Sequence, residues 1–197
     1  MERRPFAIQS VVDRVSRDFV REAETKGVSL VWKACTAVVD SDPVLVERIL
    51  RNLVSNAVRY TERGRIVIGC RRRGQEIAIQ VWDTGVGIPE HEQALVFEEY
   101  YQLGNPERDR SKGLGLGLAI VRRLADLLGC PLILRSKLGK GSCFEVVVPL
   151  ATERTRFRSP RPMSRRPARR RGLSSSSTMS GRSARRRRAY SRAGGIA

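Results

Sequence analysis

The sequence predicts one domain that mixes helices and strands, with an arginine-rich appendage behind it. Three observations carry that expectation. Apolar residues recur at three- and four-residue intervals in two long segments, the period of a helix. Two shorter segments alternate around Gly74-Gln75 in the manner of a β-hairpin. The composition breaks sharply after Leu150, and the part before it has the size of a single domain, for which about 100 to 150 residues is usual.

Along the chain, Ile8, Val11, Val12, Val15, Phe19 and Ala23 line one helical face over residues 8–23, and Gly27 ends that helix. Residues 28–34 read as a strand. Ser41-Asp42-Pro43 then combines a capping side chain with a proline at the first helical position, opening a helix that runs to about Tyr60. Its apolar face is Val46, Ile49, Leu50, Leu53, Val54 and Ala57, which leaves Asn52, Asn56, Arg59 and Tyr60 on or beside another face. Residues 65–72 and 76–83 form the hairpin. Residues 83–89 make a turn-rich glycine loop and 90–97 a short helix. Residues 98–112 are polar, charged and without periodicity, long for a loop in a compact domain and therefore expected to be a lid. Gly113, Gly115 and Gly117 lead into a helix ending at Gly129, and strands over 132–137 and 142–150 close the domain.

Of the net charge of +18, +14 lies in residues 151–197, which hold fifteen arginines, no lysine and one acid, Glu153. Residues 1–150 are therefore nearly balanced, and the alkaline pI describes the appendage. Residues 151–197 are expected to be disordered, because a segment rich in arginine, serine and proline buries too little apolar surface to offset its ordering entropy. Translation of GC-rich DNA in a shifted frame yields such a composition. Clustered arginines also bind phosphates without sequence preference, but with no aromatic interleaving beyond Phe157 and Tyr190 no specific nucleic-acid partner is expected.

Cys35, Cys70, Cys130 and Cys143 form no Cys-x-x-Cys pair, and the lone His91 does not complete a tetrahedral metal site with them. Buried reduced thiols in a cytoplasmic protein are expected. No stretch approaches the roughly 20 apolar residues of a membrane span, so any membrane attachment is expected outside this chain.

Three segments carry chemistry. In Asn52-Leu53-Val54-Ser55-Asn56-Ala57-Val58-Arg59-Tyr60 the two asparagines stand one helical turn apart and present two amides to one point. Amide oxygens are hard, neutral ligands suited to magnesium. Arg59 is placed for a phosphate oxygen and Tyr60 for a base or ribose; the competing reading is a polar face that merely meets solvent. Asp83-Thr84-Gly85-Val86-Gly87-Ile88 puts a carboxylate at a strand end before two glycines. An ionised Asp accepts a hydrogen bond such as adenine's exocyclic amine offers, and the glycines let the backbone approach a ring, although Asp-x-Gly also ends strands with no ligand in view. Lys112-Gly113-Leu114-Gly115-Leu116-Gly117-Leu118 precedes a helix, where backbone amides at a free N-terminus suit phosphates. A dinucleotide fingerprint would need a preceding buried strand and Gly-x-Gly-x-x-Gly spacing, and a P-loop would need Gly-Lys-Ser or Gly-Lys-Thr; neither is present.

The order of these segments resembles the catalytic domain of sensor histidine kinases, hybrid kinases above all, in the superfamily that also holds gyrase-type and mismatch-repair ATPases. The resemblance covers residues 5–150. Residues 52–61 look like that family's N box, 83–88 its first glycine box, Phe97-Glu98-Glu99-Tyr100 its F box, 113–117 its second glycine box, and Gly139-Lys140-Gly141-Ser142-Cys143-Phe144 its final glycine-plus-hydroxyl motif. It implies an α+β two-layer sandwich, with a mixed, mainly antiparallel sheet on one side and helices on the other, and ATP between the long helix and the lid. It implies that Asn56 binds Mg2+ with Asn52 assisting, that Asp83 reads adenine, that residues 113–118 hold phosphates, and that Ser142 supports Asp83 through water. Hydrolytic relatives carry a glutamate one turn ahead of the magnesium-binding asparagine. Asn52 stands there in this chain and cannot accept a proton from water, which favours phosphoryl transfer to an outside acceptor.

The expected function is thus an ATP-dependent protein-histidine kinase domain, with a nucleotide-binding regulatory module lacking transfer as the alternative. No segment matches the helix that bears the phosphoacceptor histidine; His91, followed by Glu92, reads as a surface residue past the first glycine box. The expected partners are a separate histidine-containing dimerisation domain and a response regulator, and the isolated domain is expected to be a monomer.

Overall fold

The computed structural model describes residues 1–103 and 114–152. Most of the expected lid, with Lys112 and Gly113, and nearly all of the arginine-rich segment lie outside the described residues. The elements run β1 (Arg4–Ala7), α1 (Ile8–Thr25), β2 (Val28–Trp32), β3 (Val38–Ser41), α2 (Pro43–Tyr60), β4 (Gly64–Arg73), β5 (Glu76–Asp83), α3 (Gly117–Leu128), β6 (Leu132–Lys137) and β7 (Gly141–Pro149).

Asp42 starts α2 as the capping pattern predicts: its Oδ1 accepts from Val44 N at 3.0 Å and Leu45 N at 3.2 Å, and Oδ2 accepts from Glu2 N at 2.5 Å. Lys26, just past α1, closes the other end of α2 by donating from Nζ to Val58 O (2.6 Å) and Arg59 O (3.0 Å), a cation on the negative pole of the helix. The apolar stripes of α1 and α2 are buried as a continuous core with Ile66, Ile68, Ile79, Val81, Phe144 and Val146 of the sheet.

Strands β2, β4, β5, β7 and β6 lie side by side in that order, β2 parallel to β4 and every other neighbouring pair antiparallel. Helix α2 packs between α1 and α3 over one face. This is the α+β sandwich that the sequence resemblance implies. On the other face Glu145 is fully buried and pairs with Arg73 at 2.5 Å and with Arg135.

Three local expectations change. β1 and β3, four residues each, pair antiparallel in a small separate sheet that strand patterning did not reveal. The helix expected over 90–97 is two 3-10 turns, Glu90–Glu92 and Leu95–Phe97. Just past the expected boundary at Leu150, Ala151 is buried and donates from its backbone to Val38 O at 2.9 Å. Of the four thiols, Cys130 and Cys143 are buried, whereas Cys35 and Cys70 are only half-buried, and burial and then the neighbouring Cys35 push the Cys70 thiol up.

Candidate functional site

Asp83, the last residue of β5, faces Ser142 across the β5–β7 ladder. Its Oδ1 accepts two backbone hydrogen bonds, from Gly85 N at 2.9 Å and from Ser142 N at 3.2 Å. Burial raises this carboxyl above its ordinary range, and the two N–H donors only partly offset that effect. β7 passes so close that a Cβ on Gly141 would sit 2.0 Å from Asp83 O, at a φ of +92° that itself favours glycine.

Ser142 therefore supports Asp83 through its backbone, while its hydroxyl pairs with Ser136 Oγ at 2.9 Å. Ser136 was not among the residues expected. Its Oγ accepts from Ile88 N at 2.7 Å and donates to Gly141 O at 3.0 Å, tying the glycine loop to the end of β6. Gly87, at φ +69°, packs against the same end, where a Cβ would lie 2.1 Å from Lys137 O.

At the far end of the cleft, Asn52 donates from Nδ2 to Arg48 O at 2.8 Å, which fixes the amide and leaves Oδ1 to face α3. A Cβ placed on Gly117 would be 3.4 Å from Asn52 Oδ1 and 3.6 Å from both amide atoms of Asn56, so the two asparagines converge on the first residue of α3. That helix starts at Leu116 without a side-chain cap. Backbone N–H groups at a helix start without such a cap are the kind of group that attracts anions, and the two asparagines lie beside this one.

The two ends belong to one cleft with two lobes. The first, with about 570 Å³ of open space, holds Asp83, Gly87, Ile88 and Ser142; the second, about 970 Å³, holds Asn52, Arg59 and residues 114–117. Asn56, Tyr60 and Leu118 line both. Of the residues expected at the site, Gly85 lines neither lobe; it packs beneath, where a Cβ would be 2.3 Å from Tyr60 O. Tyr101, Gln102 and Val96 line both lobes and were not expected. Tyr101 is held by its hydroxyl, which donates to the Glu92 carboxylate. Phe97 of the F box turns to the core instead, edge-on to Phe144 with ring centroids 6.4 Å apart.

A mainly apolar lobe ending in a hydrogen-bonded carboxylate suits a flat base carrying an amine, and two hard amide oxygens beside an open helix N-terminus suit a cation bridged to phosphates.

Comparison with known proteins identifies the family. The model of the histidine kinase-, DNA gyrase B- and HSP90-like ATPase family matches residues 41–152. The sensor histidine kinase RcsC of Escherichia coli strain K12 is 31% identical over 153 residues, covering 76% of this chain and 16% of that protein. The circadian input-output histidine kinase CikA of Synechococcus elongatus is 35% identical over 154 residues, covering 76% of this chain and 20% of its own. The chain thus spans a fifth or less of these relatives' length. Among solved structures, full-length ShkA in complex with AMPPNP superposes with a TM-score of 0.69 at 28% identity, over 77% of this chain and 32% of that one. A nucleotide-free catalytic domain of histidine kinase ThkA superposes with a TM-score of 0.66 at 24% identity, over 76% and 96%, a likeness of fold. The chain belongs to the histidine kinase-, DNA gyrase B- and HSP90-like ATPase family.

Proposed function

We propose that this chain is the ATP-binding catalytic domain of a two-component sensor histidine kinase, passing the γ-phosphoryl group of ATP to a histidine on a separate helical dimerisation domain, from which a response regulator takes it. The observation that carries the reading is one cleft with Asp83 at one end and, at the other, two asparagine amides meeting the uncapped start of α3.

In this reading Asp83 accepts the adenine amine, Tyr60 lies along the base or ribose, and Arg59 with the first N–H groups of α3 receives the phosphates. Lys112 and Gly113, which the sequence resemblance adds to the phosphate-binding residues, lie outside the described residues. Asn56, assisted by Asn52, would hold Mg2+, which would neutralise phosphate charge. The residue one turn ahead of Asn56 is the neutral Asn52, so water has no carboxylate base at that position and transfer is favoured over hydrolysis. Among the described residues no helix is long and apolar enough to cross a membrane.

The test is to supply the parent's phosphoacceptor helices in trans with MgATP labelled in the γ position. Acid-labile label on the helical partner's histidine, absent with an Asn56→Ala chain, is the expected result. Brisk phosphate release by the chain alone, with no transfer, would overturn it and point to an ATPase.

A further inference from the structure

Both N–H groups that hold Asp83 belong to segments that meet at one side-chain oxygen. Gly85 lies in the loop whose far end, Ile88 N, donates to Ser136 Oγ at 2.7 Å. Ser142 follows Gly141 at the start of β7, where Gly141 O accepts from Ser136 Oγ at 3.0 Å and the Ser142 hydroxyl lies 2.9 Å from that Oγ. A serine hydroxyl has one proton and two lone pairs. Here the proton goes to Gly141 O, and the lone pairs take Ile88 N–H and the Ser142 hydroxyl, so the group is saturated and its orientation fixed. Gln93 reinforces the junction, donating from Nε2 to Ser136 O at 3.0 Å and to Ile88 O at 3.2 Å.

We infer that Ser136 is a positioning residue for base recognition: its hydroxyl sets the loop and the start of β7 so that Gly85 and Ser142 fix the Asp83 carboxylate at the depth where a purine amine meets it. The inference rests on the reading of the cleft as an adenine-nucleotide site. Ser136 lines neither lobe; its influence runs through Ile88, Gly141 and Ser142. Removing the hydroxyl leaves the Ile88 N–H and the Gly141 carbonyl without their partner, so the segments that carry Asp83's two donors can separate. Asp83 then loses its orientation, and discrimination between a 6-amino and a 6-oxo purine falls with it. The carboxylate also loses the two donors that favour its charged form, which moves its protonation toward higher pH.

The experiment compares wild type, Ser136→Ala and Ser136→Thr by calorimetry with MgATP and with MgGTP, and follows MgATP affinity from neutral into acid pH. In Ser136→Ala, MgATP binding should weaken about tenfold while MgGTP binding changes little. The acid limb of MgATP binding should shift to higher pH, and Ser136→Thr, which keeps the hydroxyl, should restore both behaviours. A general loosening of the fold would weaken the two nucleotides alike and leave the acid limb in place. That pattern, unchanged ATP affinity in Ser136→Ala, or no rescue by threonine would overturn the assignment. Failure of the underlying reading looks different: wild type itself would then fail to prefer MgATP over MgGTP.

Discussion

Asp83 Oδ1 lies 3.2 Å from the backbone nitrogen of Ser142, a residue 59 positions later, so the carboxylate is held by the strand beside its own rather than by its own loop alone. A carboxylate placed this way is useful to a ligand and costly to the fold, and the two effects separate on substitution.

Asp83→Asn keeps an oxygen for the Gly85 and Ser142 donors but removes the buried charge. The carboxyl is raised above its ordinary value by burial, so its folded-state affinity for protons exceeds that of the unfolded chain. Its contribution to stability is therefore present at low pH and lost as pH rises through the folded value. The variant should melt at or above the wild-type temperature at neutral pH, while MgATP affinity falls about tenfold or more. Thermal melts paired with calorimetry check this, and a variant both less stable and equally tight would contradict it.

Asp42 has the opposite sign. Burial pushes its carboxyl up, but hydrogen bonds from the Glu2, Leu45 and Val44 nitrogens outweigh burial and hold it below the usual range. Its stabilisation is thus complete above the unfolded Asp value, about 3.9, and is lost as pH falls through the lowered folded value. Asp42→Ala should cost about 1 to 2 kcal/mol at neutral pH in urea unfolding, a difference that narrows in acid.

Glu145 is fully buried, whereas its partners Arg73 and Arg135 keep 33% and 51% of their side chains exposed. Removing the glutamate leaves two arginines able to turn to water; removing both arginines leaves a buried charge with neither. Arg73→Ala/Arg135→Ala should accordingly be more destabilising than Glu145→Gln, by about 2 kcal/mol in denaturant unfolding.

Two truncations test the domain boundary. Ending the chain after Leu150 deletes the Ala151 N–H that meets Val38 O, along with a buried methyl group, whereas ending it after Thr152 keeps both. The shorter form should melt a few degrees lower, about 1 kcal/mol in stability. Equal melting would place the boundary at Leu150.

What the sequence displayed was whatever has a short period. Helices α1 and α2 announced themselves through 3.6-residue apolar spacing, and the β4–β5 hairpin through alternation around Gly74. β1 and β3 were hidden because four residues, one of them Pro5, hold no measurable period and their pairing spans more than thirty positions. Residues 90–97 looked helical by composition, but Gln93 spends its side chain on Ile88 and Ser136, and the turns on either side close as 3-10. Asp83, Asn52 and Asn56 were legible because a chemical type at a fixed spacing carries their case. Ser136 was not, since a serine in an alternating strand looks like any outward-facing residue; only the β6–β7 register, which sets it opposite Ser142, exposes it.

The small sheet has a bearing on architecture. β3 pairs with β1 along its whole length, and Val39 and Val38 also meet Leu150 and Ala151, so β1 and the chain leaving β7 are stitched to the same four residues. A module built like that has its doorway and its exit side by side. Such a module can sit in a longer polypeptide as a cassette whose two connections leave from one small sheet.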